Sequence, residues 1–236
     1  MGKRGPKPKE KIKIEWSSNF AYAIGLLVTD GCLYNDKRHM SLTTKDIEQA
    51  ENFKKCLKID VKIGLKANES SNEKIYHHVQ FGDVKFYEFL LSIGLSEAKS
   101  KTIGIIKIPD QYFFDYLRGC FDGDGCFYSY WDPRWRSSHM FYIEFVSASK
   151  KHIDWLHKKL NDEVGIGGHI TKSAKKIYYQ LKYAKKEAVV IIEKMYYNPN
   201  VVCLIRKREK IENALKVERL QQKKYARVVK LAYTLA

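Results

Sequence analysis

No apolar run in this sequence approaches the length of a membrane span, and the basic N-terminus is not followed by an apolar stretch. A bilayer-crossing segment and a secretion signal are therefore not expected. The five cysteines, Cys32, Cys56, Cys120, Cys126 and Cys203, form no CxxC pair and are odd in number. That argues against a disulfide framework or a zinc site and suits a reduced, intracellular protein. Negative charge is also scarce: 27 Asp and Glu stand against 43 Lys and Arg, which leaves +16. An excess of that size points to a polyanionic partner, and nucleic acid is the commonest.

What is present begins with a repeat. Tyr22-Ala-Ile-Gly-Leu-Leu-Val-Thr-Asp-Gly31 is echoed ninety-four residues later by Tyr116-Leu-Arg-Gly-Cys-Phe-Asp-Gly-Asp-Gly125. Both are apolar, helix-like runs that end in Asp-Gly, followed by Cys, a hydrophobe and Tyr. Further blocks match in the same order: Leu42–Leu57 with Phe145–Leu160, and Tyr76–Phe81 with Tyr178–Tyr183. The 236 residues thus divide into two units of about a hundred each. With 44% hydrophobic and 13% aromatic residues, each can bury a core.

Periodicity and caps set the expected elements. Ser17 or Ser18 can cap a helix to about Thr29, with Gly31 as a left-handed stop. A hairpin (32–34 and 39–43), an amphipathic helix with Ile47, Ala50, Phe53 and Leu57 on one face, a second hairpin (61–65 and 75–81) and a helix, Val84–Ile93, follow. Pro109 opens the second copy. The expected fold is α+β: two αββαββα repeats, each with a four-stranded antiparallel sheet. The expected division is a flexible basic arm at 1–16, halves at 17–108 and 109–215, and a basic tail at 216–236. Within the arm, Arg4–Lys9 carries a Gly-Pro pattern suited to a minor groove. His152 and His157 are expected at the surface.

Small residues recur along the two motif helices: Gly25 and Thr29 in the first, Gly119 and Gly123 in the second. Such a row lets helix backbones approach closely, which would make the two helices the interface between halves. Each helix then ends in a carboxylate, Asp30 or Asp124, where the helix dipole disfavours negative charge. Side by side, the two acids need a cation, and Mg²⁺ held by carboxylates and phosphate oxygens is the expected one. Paired carboxylates over metal in a basic protein point to phosphodiester hydrolysis.

Gly25–Gly31 and Leu117–Gly125 resemble the two signature motifs of the LAGLIDADG homing endonucleases, and the similarity extends over about residues 17–215. The resemblance implies a pseudo-twofold monomer whose two sheets form a saddle over the DNA major groove. It also implies Mg²⁺-dependent cleavage of both strands, with Mn²⁺ or Ca²⁺ as substitutes, by a protein carried on a mobile intron. Asp30 and Asp124, with Gly31 and Gly125, match the metal-binding positions; the earlier acid of the motif is Asp122 in the second copy and Val28 in the first. Basic or amide groups expected near the scissile phosphates are Lys99 or Lys101, Arg206 or Lys207, and Gln80 with its counterpart Lys182. Strand alternation offers Tyr34, Lys62, Lys66 and His78, and Tyr128, Tyr130, Arg134, Arg136 and Lys172, for contact with DNA. The alternative is a relative that binds DNA or intron RNA without cutting, as a maturase or a transcription regulator. Neither end of the chain resembles a protein-splicing junction, so an endonuclease domain cut from an intein is not expected.

Overall fold

Ser17 opens the first helix. Its hydroxyl accepts from the Phe20 N–H at 3.2 Å, and α1 runs Ser18–Asp30. The hairpin β1 (Gly31–Leu33) and β2 (His39–Thr44) follows, then α2 (Ile47–Leu57), capped by Asp46. A second hairpin, β3 (Ile63–Asn68) and β4 (Ser71–Gly82), leads to α3 (Val84–Ile93). Gly94 ends α3 at φ 112°, a left-handed conformation that glycine adopts without strain. The order repeats as α4 (Phe113–Asp124), β5 (Cys126–Trp131), β6 (His139–Ser147) and α5 (Lys150–Val164), then β7 (His169–Lys172), β8 (Tyr179–Ala184) and α6 (Lys185–Met195). The last helix, α7, spans Ile205–Thr234. This computed structural model describes residues 11–68, 71–173 and 178–234. The Arg4–Lys9 segment and the tip of the β3–β4 turn lie outside the described residues.

Each half forms a four-stranded antiparallel sheet, in the orders β1-β2-β4-β3 and β5-β6-β8-β7. The period of two sorts the side chains by face. Met40, Leu42, Val79 and Phe81 are buried on one side of the first sheet, as are Phe141, Ile143, Leu181 and Tyr183 in the second. The opposite faces carry Ser41, Thr43, His78 and Gln80, and Tyr128, Tyr142, Glu144 and Lys182.

The halves meet along α1 and α4. A Cβ placed on Gly25 would overlap Tyr116 O and stand 2.8 Å from Cys120 N; one on Gly119 would overlap Tyr22 O. Small residues here let two helix backbones touch, as the sequence pattern predicts. Around this seam the core is largely aromatic. Trp16 packs edge-on against Phe20 and Phe89, and Trp155 against Phe113 and Tyr116.

Four expectations change. Gly31 and Gly125 are extended (φ −84° and −74°), not left-handed. Each is glycine because a Cβ would press on its own helix, 2.7 Å from Leu27 Cα or 2.6 Å from Phe121 Cα. Ile47 is 43% exposed, while Ala50, Phe53 and Leu57 are buried, so the apolar face of α2 starts a turn later. Residues 11–16 are not a loose arm. Asp83, the cap of α3, accepts from Lys11 N–H at 2.7 Å and Ile12 N–H at 3.1 Å, and Ile12 is buried. Finally, the expected boundary at 215/216 falls inside the continuous helix α7.

Asp83 therefore holds three backbone N–H groups, counting Phe86 N–H at 3.0 Å. Asp83→Ala removes a cap and strands two further donors. It should lower stability by about 2–4 kcal/mol, read as a fall in urea midpoint at unchanged m-value. Asp83→Asn, with one acceptor oxygen left, should fall between.

Candidate active site

Asp30 and Asp124 end the two abutting helices, so the packing of α1 on α4 brings them together at the seam. A Cβ on Gly123 would lie 2.8 Å from Asp30 Oδ2 and against the Thr29 side chain, which places the second motif directly over the first acid. Burial raises the Asp30 carboxyl to about 6, with the neighbouring Asp124 charge adding to the rise and the Gln49 hydrogen bond opposing it. Asp124 is also raised by burial, against the pull of Lys207 and Lys99. Two helix C-termini and two acids, Asp30 half-buried and Asp124 exposed, meet at one point of the seam.

Part of the charge problem is solved by the protein itself. The Lys99 ammonium donates to Gly31 O, and Lys207 Nζ to Gly125 O at 2.7 Å, Asp122 O at 2.9 Å and Phe121 O at 2.5 Å. Both lysines are buried, and burial lowers both: Lys99 below the usual range, Lys207 to about 8. Each ammonium thus caps the carbonyls of a motif helix end beside its acid, matching the sign of the dipole. Of the candidates offered by the sequence, Lys99 and Lys207 reach the centre. Lys101 is exposed, and Arg206 is turned to Asp46, its Nε donating to Oδ2 at 2.6 Å. Gln80 and Lys182 stay on the outer faces, opposite Ser41 and Glu144, with Lys182 paired to Glu144 at 2.9 Å.

The structure adds residues that the sequence reading passed over. Gln49 Nε2 donates to Asp30 Oδ2 at 2.6 Å, while its own Oε1 accepts from the Thr44 hydroxyl at 2.8 Å. Asp46-Ile-Glu-Gln49 has the spacing of a capping box, which hides this role in the sequence. The repeat alignment sets His152 opposite Gln49, but His152 is buried rather than at the surface. Its Nδ1–H donates to Gly104 O at 2.8 Å, the Tyr116 hydroxyl donates to Nε2 at 3.4 Å, and burial lowers its pKa to about 4. A cavity of about 130 Å³ lies beside Asp124, with Thr29, Cys120, Ser147 and His152 in its wall. Asp30 is clamped and Asp124 is open: the two acids are not equivalent.

Asp122, the earlier acid of the second motif, serves as a structural cross-link. Its Oδ2 accepts from the Tyr22 hydroxyl and from Leu204 N–H, both at 2.8 Å, joining α1, α4 and the start of α7. Arg118 is fully buried above the Tyr22 ring and donates to Val202 O, Met195 O and Asp115. These bonds hold the chain that delivers Lys207. Repetition of the motif marks none of them, because Val28 and Ile24 stand at the equivalent positions of the first copy.

The expected DNA-contact residues mostly share the outer faces. Lys66 and His78 align there in the first sheet, as do Tyr128 and Tyr130 in the second, where both stack on Tyr142. Lys62 immediately precedes β3, Tyr34 bonds Ser41 at 3.3 Å, and Arg134 and Arg136 lie in the β5–β6 turn. Lys172 is the exception. It pairs with Tyr179, whose neighbours two residues along β7 and β8 are Ile170 and Leu181, so its register is that of the core face.

Two αββαββα units joined along glycine-bearing helices, with an acid at each helix end, constitute the LAGLIDADG fold, and the chain has this fold. Among solved structures it is similar to the homing endonuclease I-WcaI bound to its DNA recognition sequence (TM-score 0.61, 16% identity, 88% of this chain and 94% of that one). It is also similar to I-SmaMI bound to an uncleaved DNA target in the presence of calcium ions (0.56, 13%, 89% and 93%). Full-length DUF199/WhiA from Thermatoga maritima is a further likeness (0.54, 14%, 95% and 72%). No protein-family profile and no curated protein sequence matches the chain.

Proposed function

We propose that this protein is a site-specific, divalent-metal-dependent DNA endonuclease that cuts both strands of a long target, acting as a pseudo-symmetric monomer. The observation that carries the reading is the pair Asp30 and Asp124 at abutting helix ends, each with a buried lysine on the adjoining carbonyls. Stability alone gives no reason to set two like charges side by side at two helix C-termini, whereas a metal and a phosphate give one. Among the described residues no cluster of three or more His, Cys, Asp or Glu could hold a metal by itself. The available set is two carboxylates and helix-end carbonyls, all hard oxygens, which suits Mg²⁺ completed by phosphate and water.

Asp30 and Asp124 would hold that ion, with Gly31 O and Gly125 O beside them. Bound Mg²⁺ supplies an activated water and stabilises the leaving oxygen. The protein's own groups do the rest. Gln49 fixes the Asp30 carboxylate and its lone-pair direction. Lys99 and Lys207 place positive charge where a phosphate gains negative charge, and Lys207, near 8, can hold or release a proton close to neutral pH. The outer sheet faces, with Lys66, His78, Gln80, Tyr128, Tyr130 and Lys182, would read the major groove. I-WcaI and I-SmaMI, named above, are solved with DNA, the second in the presence of calcium ions, which supports the partner and the use of a divalent cation.

The test is incubation of the full chain with a plasmid library of random inserts, with Mg²⁺ and with EDTA. Double-strand breaks at one recurrent insert, present only with Mg²⁺, are expected and would supply the target. Tight binding of duplex DNA or intron RNA with no cut under any divalent ion would replace this reading with that of a regulator or maturase.

A further inference from the structure

The turn between β5 and β6 presents a side chain for which folding has no use. Trp135 is 70% exposed and Trp131 is 51% exposed. Leaving an indole in water forgoes one of the largest burial gains available to any residue. The turn is nonetheless well bonded. Trp135 N–H donates to Asp132 O at 3.1 Å, Ser138 N–H to Trp135 O at 2.7 Å, and Asp132 N–H to Ser138 O at 2.9 Å. The Asp132 carboxylate accepts from the Arg134 backbone at 2.9 Å and from its guanidinium at 3.2 and 3.3 Å. From α7, Gln221 Nε2 donates to Ser137 O at 2.6 Å. An ordered turn thus holds out an indole with an arginine on either side.

Its place in the fold indicates what it meets. β5 begins two residues after Asp124 and leads away from it, and its outer face carries Tyr128 and Tyr130 stacked on Tyr142 at 5.3 and 6.3 Å. Six residues at about 3.4 Å each put the turn roughly 20 Å from the carboxylate pair, the length of about six base pairs. The first sheet has no such element: its β1–β2 turn is Tyr34-Asn-Asp-Lys-Arg38, with no Trp. The occupant must accept both an apolar ring and the flanking Arg136 cation, since Arg134 is paired with Asp132. Duplex DNA does so, with stacked bases between rows of phosphates.

We propose that Trp135 is an apolar wedge that seats against a base step on the flank of bound DNA, roughly six base pairs from the acids, while Arg136 meets a phosphate. The wedge rests on the reading above that the ligand is duplex DNA; it does not require that the DNA be cut. It gives the second half an affinity device that the first half lacks, and it favours targets whose flanking step unstacks easily.

Binding of a pool of random-sequence duplexes, followed by fluorescence anisotropy over a salt series, tests this with the full chain. Trp135→Ala should weaken binding about tenfold and leave the slope of log affinity against log salt unchanged. Trp135→Phe should recover most of the loss, and Arg136→Ala should reduce the slope by about one phosphate contact. Duplex should quench tryptophan emission in the parent and in Trp131→Phe but not in Trp135→Phe. Unchanged affinity and unchanged quenching in the Trp135 variants would overturn the wedge and leave the DNA reading standing. A parent chain that binds no duplex would remove both. Dissociation of a self-associated form by Trp135→Ala, with DNA binding untouched, would also overturn the wedge and make the turn a contact between copies.

Discussion

Asparagine in place of Asp30 is expected to abolish double-strand cleavage while making the folded protein more stable. Asp30 titrates near 6 in the folded protein against an ordinary 3.8, mainly through burial and next through Asp124. A carboxyl raised in this way binds its proton more tightly when folded than when unfolded. Stability therefore falls as pH rises from about 4 to 6, and the full penalty stands above 6. Asn removes the charge, and its oxygen can still accept from Gln49, so the site keeps its packing. The gain should be about 1–3 kcal/mol at pH 8 and should vanish below pH 4. Cleavage should drop at least about a hundredfold, with Asp124→Asn behaving alike in activity. Paired urea titrations at pH 8 and pH 4, run beside plasmid cleavage, decide the matter. A variant that still cuts, or one that is less stable than the parent at pH 8, would show that Asp30 is a structural acid.

The second large effect comes from a single methyl group. Gly25→Ala would drive a Cβ into Tyr116 O and to 2.9 Å from Gly119 Cα, and Gly119→Ala would meet Tyr22 O from the other side. Both obstacles are helix backbone and cannot turn aside, so α1 and α4 would have to separate along their length. The halves would then lose their shared core and the acids their adjacency. The expected cost is about 3 kcal/mol or more for either variant, at the upper end of overpacking effects, and expression as aggregate would agree with it. Gly104→Ala is the control: nothing stands within 4 Å of its Cβ, and the change should stay within about 0.5 kcal/mol. Near-wild-type melting of Gly25→Ala would mean that α1 and α4 do not touch backbone to backbone at this point.

Much of this architecture is legible in the chain because the repeat states it twice. A single Asp-Gly ending a helix is ordinary turn chemistry; the same ending at Asp30 and at Asp124, with matched flanks, fixes two halves and nominates two acids. The glycine rows of α1 and α4 likewise follow from local spacing, since i and i+4 share a helix face whatever the surroundings. Strand alternation assigned most outer-face residues, failing at Lys172, where the register inside a four-residue strand decides the face.

Other features depend on groups distant in sequence. Lys99 and Lys207 could not be separated from Lys101 and Arg206 in the sequence, because all four are basic residues after the last strand of a half. Only the folded path shows which ammonium lies over a helix end. Gln49 and His152 occupy matching positions, yet one binds Asp30 and the other turns to Gly104, because the hydrogen-bond partners come from other segments. Asp122 and Arg118 act through Leu204, Val202 and Met195, at least 77 residues away. Local pattern alone determined the elements, their repetition and the two acids, since those rest on periods of two and 3.6 that neighbouring residues enforce. Tertiary structure decided which cations and amides surround them, since burial and hydrogen bonding are properties of places that distant parts of the chain build together.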